Sequence, residues 1–169
     1  KSHTGLVWAA IEWKRFGRPS MVGLVTGVVA GLATVTPASG FIGTLGGVIL
    51  GAAGSLICYQ AVDLVKHRLK IDDSLDVFAV HGVGGILGTL LVAVLASAGL
   101  GGAGYAPGMT MGSQALTQLI GVAAVCAWSG IATLVLVFVV RRTTGLRAGD
   151  EAVDEGLDMS AHGERAYNP

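Results

Sequence analysis

Long apolar stretches, separated by short charged or glycine- and proline-rich segments, dominate the pattern of hydrophobic and polar positions along the chain. No Asp, Glu, Lys or Arg occurs between Arg18 and Asp63, and none occurs over residues 77–140. An apolar run of about 18 residues or more is long enough to cross a bilayer as a helix. The pattern therefore predicts an all-α polytopic membrane protein and excludes a soluble globular domain.

The breaks between these stretches predict about five transmembrane helices, of which the first is partial. At about 1.5 Å per residue the last stretch reaches about 46 Å, more than the roughly 30 Å of a bilayer's hydrocarbon, so we expect it to tilt or to project from the membrane. In chain order, the predicted spans cover residues 5–13, 20–36, 41–62, 77–98 and 110–140.

Basic residues alternate from loop to loop. They follow the first, third and last predicted spans, whereas the loop around Pro37 and the loop over residues 99–108 carry no charge. Basic loops of membrane proteins face the cytoplasm. The alternation predicts a multi-pass protein of the cell (inner) membrane with a cytoplasmic C-terminus. Because the net charge is zero and no basic face exists, nucleic-acid binding is excluded.

The composition adds close helix packing to this picture. Charged residues make up only 13% of the chain, and glycine supplies 27 of its 169 residues, well above the usual share of about 7%. Several glycines recur every four residues inside apolar runs, a spacing that lets helix backbones approach closely in a membrane. These ladders are formed by Gly23, Gly27 and Gly31, by Gly43, Gly47 and Gly51, and by Gly84 and Gly88.

The character of the chain changes near its end. Residues 143–169 are polar and acidic, which divides the chain into a membrane domain over residues 1–142 and a cytoplasmic tail over residues 143–169. The mixture of apolar, charged and aromatic residues in the tail leaves two interpretations open, a solvated extension and a docking element. Since the first residue is Lys1 and not Met, we expect the chain to be a piece of a longer protein.

His81 is the strongest candidate for a functional side chain. It is the titratable residue that we expect to lie at depth within residues 77–140, about 7.5 Å along the helix from Asp76. Ionisable side chains inside a membrane usually mark a pathway or a relay, and a neutral imidazole can both donate and accept a hydrogen bond. The alternative is a histidine that bonds to a neighbouring helix and only stabilises packing.

Two further residues have competing interpretations. Asp76 lies at the cytoplasmic mouth of the same span, where a carboxylate either caps the helix or recruits cations. Thr36, which precedes Pro37, is either a turn residue or a binding residue. The sequence contains no cysteine–histidine cluster with metal-ligand spacing and no credible nucleophile–base pair. We therefore expect no metal, no cofactor and no enzymatic activity.

Several blocks of the sequence, in the same order, resemble the ammonium transporter (Amt/Mep/Rh) family, and most closely its bacterial ammonium transporters. The most specific block is DDSLDVFAVHGVGG over residues 72–85, and the likeness covers nearly the whole chain. The other blocks are Glu12-Trp13 with residues 17–20, GVVAGLATVTPASG over residues 27–40, and tail motifs at residues 145–147, 156–158, 162–164 and 166–168.

The resemblance implies eleven-helix subunits of a homotrimer with one hydrophobic pore each, of which this chain would supply helices seven to eleven. It implies that His81 is the second of two paired pore histidines, that Val77 lines the narrow pore nearby and that Thr36 lies near the outer vestibule. The partners it implies are ammonium or ammonia, membrane lipid, neighbouring subunits and a PII-type signal protein at the tail. Because the first half of the family's pore is absent, we expect His81 to be exposed and the chain not to conduct alone.

Two other functions stay open at this point. One is a membrane-embedded ammonium sensor with little or no flux, in which occupancy changes the tail. The other is a structural membrane subunit in which the histidine has a packing role only.

Overall fold

A computed structural model describes residues 3–164 of the chain. Every regular element in that range is helical, which confirms the predicted fold class. Within the same range the α-helices are α1 (His3–Phe16), α2 (Met21–Val35), α3 (Thr44–Asp63), α4 (Val83–Leu95), α5 (Met111–Thr143) and α6 (Asp150–Glu155). Lys1 and the predicted tail motif at residues 166–168 lie outside the described residues.

Four helical stretches in the described part of the chain are long and apolar enough to cross a membrane: Met21–Ala38, Thr44–Arg68, Val77–Leu95 and Met111–Thr143. They correspond to the four complete spans predicted above, and α1, with 14 residues, matches the partial first one. The chain is therefore a multi-pass membrane protein. The 33 residues of α5 give it a length of about 50 Å, in keeping with the excess expected for that span.

Two of these spans contain π-helical turns. One turn, Leu64–Arg68, prolongs α3, and the other, Val77–Gly82, leads directly into α4. A π-helical turn is wider than an α-helical one and often occurs at functional sites. The hydrophobic pattern predicts neither turn, because an apolar stretch marks a span without distinguishing one helical pitch from another.

The chain divides into two compact units, of which the first is Lys1–Ala123. Within it α2 packs against α1, α3 and α4, and α3 also contacts α1 and α4. Of the helices α1 to α4, α2 and α3 each have the other three as neighbours, so the packing of the unit depends on the surfaces of both.

The second unit is Ala124–Pro169. In its described part α6 contacts a π-helical turn, Asp158–His162. The Ser160 hydroxyl within that turn donates hydrogen bonds to the carbonyl oxygens of Ala152 and Gly156, at 3.3 and 3.1 Å. These bonds give the tail local order of its own. The division at residues 142 and 143 into a membrane domain and a tail stays a prediction.

The glycine ladder of α2 lies against α1. A methyl group added at Gly27 would collide with the side chain of Trp8, and one added at Gly31 would collide with Thr4. The absence of side chains at these positions lets the two helix backbones approach closely, which is the main source of helix association in lipid. This close approach confirms what the four-residue spacing predicts for α2.

Thr34 is the residue at which α2, α3 and α4 meet. It is fully buried, and its hydroxyl donates a 2.8 Å hydrogen bond to the carbonyl oxygen of Ala30. A methyl group at Gly54 of α3, or at Gly84 or Gly88 of α4, would collide with Thr34. Gly54 and Gly84 thus border the Thr34 side chain and Gly88 borders its backbone carbonyl, while the Thr34 hydroxyl is satisfied within its own helix.

Glu12 of α1 determines where α2 begins. Its carboxylate accepts hydrogen bonds from the backbone N–H of Ser20 at 2.6 Å and from the Ser20 hydroxyl at 3.2 Å. That hydroxyl accepts a 2.8 Å bond from the N–H of Gly23, so Ser20 caps α2. A methyl group at Gly23 would collide with the Glu12 carboxylate. Glycine is therefore needed here for the carboxylate to reach the cap.

We predict that Gly88→Ala destabilises the protein by about 1–3 kcal/mol, because the added methyl group overpacks a site with no space. The atom it would meet is the backbone carbonyl oxygen of Thr34, which cannot move as a side chain can. The thermal unfolding midpoint in detergent checks this. Gly47→Ala is the matched control, since no atom lies within 4 Å of the added methyl group there. An equal midpoint for both variants would contradict the prediction.

Candidate functional site

Asp73 organises the loop before the span Val77–Leu95, which is the fourth of the five predicted spans and is called the fourth span below. Its carboxylate accepts hydrogen bonds from the backbone N–H groups of Val77, Phe78 and Ala79, at 2.8, 3.0 and 3.3 Å. The first N–H groups of a helix have no partner within the helix, and a carboxylate satisfies them and favours the positive end of the helix dipole. Asp73 is therefore the cap of the span that carries His81.

The capping interpretation of Asp76 is wrong. Asp76 occupies the position before the helix, but its side chain makes no cap hydrogen bond. Its carboxylate oxygen Oδ1 lies instead 2.8 Å from the ammonium nitrogen of Lys66. The backbone of Asp76 is left-handed, with φ +56°, and the N–H groups of the first turn bond to Asp73 instead. Cation recruitment is also disfavoured, since a lysine already neutralises this carboxylate.

His81 lies in the π-helical turn Val77–Gly82, on the exposed face of the span. Val77 and Phe78 lie on the same face and are 55% and 59% exposed. Ala79 and Val80 are buried on the opposite side, where the Val80 carbonyl oxygen accepts a 3.6 Å hydrogen bond from the Cys58 thiol. The span thus has one packed face and one open face, and the predicted pathway residues His81 and Val77 both belong to the open face.

The exposure of His81 bears on its two interpretations. Within residues 3–164 its imidazole makes no hydrogen bond, so the described part of the chain provides no partner for a histidine that stabilises packing. Exposure of this residue is what we expect when the opposite wall of a pore is not part of the chain. The imidazole can offer one donor and one acceptor to a solute.

Thr36 lies apart from His81. It belongs to the 3₁₀ turn Thr36–Ala38, and its hydroxyl donates a 2.6 Å hydrogen bond to Leu32, as expected of a turn residue. It also borders a cavity of about 270 Å³ together with His3 and Ser39, which does not include His81. The structure therefore brings Val77 and His81 together but places Thr36 at a separate cavity.

Sequence reasoning missed two residues of this site. Asp73 and Lys66 were visible only as members of an acidic group and of a basic cluster, which are usually solvated. The signal for Asp73 was its position four residues before Val77, within reach of the first free N–H groups. Lys66 had no such signal, because its contact with Asp76 depends on how α3 and the fourth span pack.

The described residues hold no group of three or more His, Cys, Asp or Glu side chains that could bind a metal ion. The site presents one exposed imidazole with exposed apolar side chains beside it.

Comparison with known proteins gives a consistent picture. Residues 1–167 match the family model described as Ammonium Transporter Family. The chain is 43% identical over 169 residues to an ammonium transporter of Aquifex aeolicus, covering 99% of the chain and 39% of that protein. It is 41% identical over 165 residues to ammonium transporter Amt1 of Archaeoglobus fulgidus, covering 96% of the chain and 41% of that protein. The chain thus spans about two fifths of the length of these relatives.

Solved structures show the same similarity in three dimensions. The crystal structure of Mep2 from Saccharomyces cerevisiae superposes with a TM-score of 0.75 at 33% identity, covering 89% of this chain and 35% of that one. A structure described as a sensor Amt protein superposes with a TM-score of 0.83 at 26% identity, covering 94% of this chain and 38% of that one.

We predict that Asp73→Ala destabilises the start of the fourth span by about 1–2 kcal/mol, since it leaves three N–H groups without a side-chain acceptor. Amide hydrogen exchange at Val77, Phe78 and Ala79 measures this directly and should accelerate. Asp72→Ala is the control, because it removes a neighbouring carboxylate that accepts from the Ser74 hydroxyl, whereas these three amides bond to Asp73. Equal exchange in the two variants would show that Asp73 is not the cap.

Proposed function

The chain belongs to the Ammonium Transporter Family, and on this basis we propose that the complete protein moves ammonium across the cell membrane through a hydrophobic pore. The observation that carries the proposal is the open face of the fourth span, where the side chains of His81 and Val77 are both exposed. We propose that this face forms one wall of the pore. The part of the protein beyond this chain would supply the other wall and the second histidine.

The form in which the solute crosses follows from the energy of desolvation. Burying an unpaired ammonium-sized ion in hydrocarbon costs on the order of tens of kcal/mol in the idealised Born limit. Neutral ammonia costs far less, and a hydrogen-bonding imidazole offsets much of that. We infer that ammonium is recruited at the outer surface and deprotonated there. Ammonia then passes the narrow apolar pore, and the proton is handled separately or along the histidines.

Each predicted site residue has a role in this proposal. His81 in its neutral form exchanges hydrogen bonds with ammonia inside the pore, and Val77 narrows the pore beside it. Thr36 lies on the outer side near the vestibule, which its position at the uncharged end of α2 supports. Asp76 lies at the cytoplasmic mouth. The basic loops and the C-terminus face the cytoplasm of a cell, with the spans in its inner membrane.

The assembly and its regulation extend the proposal. We propose that the complete protein is a homotrimer with one pore per subunit, and that residues 143–169 form a cytoplasmic regulatory tail. The resemblance of the tail motifs to those of the family supports contact with neighbouring subunits and a PII-type signal protein. The local order of the tail, seen in the hydrogen bonds of Ser160, supports a docking element over a solvated extension.

A second candidate function is an ammonium sensor with little or no flux. The specific observation in its favour is the superposition on the sensor Amt structure. Flux discriminates between the two functions, because a transporter reconstituted in vesicles accumulates labelled methylammonium and a sensor does not. A purely structural subunit would in addition leave a cysteine at position 81 unreactive toward water-soluble thiol reagents.

We predict that His81→Ala in the complete protein abolishes methylammonium uptake or changes its selectivity against other small cations, because the imidazole no longer offsets the desolvation of ammonia. Uptake into proteoliposomes measures the effect. His67→Ala is the matched control, since His67 is an exposed histidine 3.3 Å from Asp63 in the basic loop. Unchanged uptake and selectivity in His81→Ala would remove this residue from the mechanism.

We predict that removing residues 144–169 from the complete protein abolishes binding of the PII-type protein, because the docking element is lost. Size-exclusion chromatography with light scattering gives the masses of the complex and of the membrane protein alone. The truncated protein should keep the mass of a trimer, which serves as the control for folding. Retained PII binding would place the docking surface outside the tail.

A further inference from the structure

The ion pair between Lys66 and Asp76 joins the ends of two successive spans. Nζ of Lys66 lies 2.8 Å from Oδ1 of Asp76 and donates a 3.4 Å hydrogen bond to the carbonyl oxygen of Ser74. The side chains of the lysine and the aspartate are only 32% and 18% exposed. An ion pair that is partly shielded from water is screened less than one on an open surface. The contact is therefore able to hold the two spans in one arrangement.

The backbone of Asp76 has a conformation that residues with a Cβ atom rarely adopt. Its backbone has φ +56° and ψ 28°, in the left-handed region. Such a conformation persists only where the surrounding structure holds it, and it is frequent at functional sites. The carbonyl oxygen of Asp76 accepts a 2.8 Å hydrogen bond from the N–H of Val80, the residue before His81. This hydrogen bond connects the backbone of Asp76 to the turn that carries His81.

Lys66 is itself well anchored. It lies in the π-helical turn Leu64–Arg68, where the N–H of Leu69 bonds to the carbonyl of Leu64 at 2.9 Å and the N–H of Ile71 bonds to that of Val65 at 3.0 Å. Val65, directly before Lys66, is buried. Lys70 in the same loop differs, since it is exposed and forms no ion pair within residues 3–164.

We propose that Lys66 is a positioning residue for His81: through its ion pair with Asp76 it fixes the left-handed start of the π-helical turn, and with it the direction in which the imidazole faces the pore. This inference rests on the proposed transport function. Lys66 does not touch the solute in this role and acts only through Asp76.

A competing role for Lys66 would be to mask the charge of Asp76, so that ammonium is not retained at the mouth. The two roles differ in the double variant Lys66→Met with Asp76→Asn. If Lys66 only masks a charge, removing the carboxylate as well restores transport. If Lys66 positions His81, the double variant transports as slowly as either single variant, because the ion pair between Lys66 and Asp76 is missing in all three.

The first experiment measures methylammonium uptake by the complete protein in proteoliposomes. We expect Lys66→Met and Asp76→Asn each to lower the uptake rate about fivefold, the double variant to equal them, and Lys66→Arg to restore the ion pair and the rate. Asn tolerates the left-handed conformation, so Asp76→Asn tests the charge alone. Lys70→Met is the matched control and should transport as the wild type does. Wild-type rates in Lys66→Met, or recovery in the double variant, overturn the proposal.

The second experiment does not depend on transport. A single cysteine is placed at position 77 in a cysteine-free background of the complete protein. Its rate of labelling by a water-soluble thiol reagent measures how accessible the open face is to water. Lys66→Met should change that rate severalfold at an unaltered thermal unfolding midpoint, and Lys70→Met should not. An unchanged labelling rate overturns the positioning role of Lys66, even if the protein transports. Absence of transport by the wild type overturns only the proposed function.

Discussion

The close approach of three helices at Thr34 is the contact on which the rest of the first unit depends. Lipid offers no hydrophobic incentive for helices to associate, so dispersion contacts between surfaces of matching shape must supply the attraction. Glycines from α3 and α4 leave room for Thr34, and its hydroxyl needs no partner outside α2. This arrangement fixes α4, and through it the π-helical turn that precedes it. The placement of His81 therefore depends on a packing contact that begins at Gly84, three residues further along the chain.

Carboxylates then set the local geometry at the ends of the helices. Glu12 reaches from α1 to the start of α2, and Asp73 reaches from a loop to the start of the fourth span. In both cases a charged group satisfies backbone N–H groups that would otherwise be left without partners. The two acids lie at sites that hydropathy treats as simple interruptions. Glu12 and Asp73 define where a span starts and in which direction it leaves the preceding loop.

The sequence predicts most of the fold because the bilayer restricts it so strongly. Apolar length predicts the positions of the spans, and the spacing of Gly27 and Gly31 predicts a close helix contact, which α2 makes with α1. Gly47 shows the limit of that reasoning, since it has the ladder spacing but faces open space. The position of Asp73 indicates that it can reach the first free N–H groups, but the choice between Asp73 and Asp76 as the cap depends on a left-handed backbone that no periodic pattern records.

The compensation of charge around the first turn of the fourth span has a consequence for the release of solute. Asp73 already occupies the amide groups that could hold a mobile anion, and Lys66 already occupies the carboxylate that could hold a mobile cation. The Asp73 carboxylate is balanced by amide dipoles and the Asp76 carboxylate by a lysine. In the transport that we propose, a solute that arrives at this rim would meet neither group free to bind it, and its exchange with bulk water would be left to diffusion.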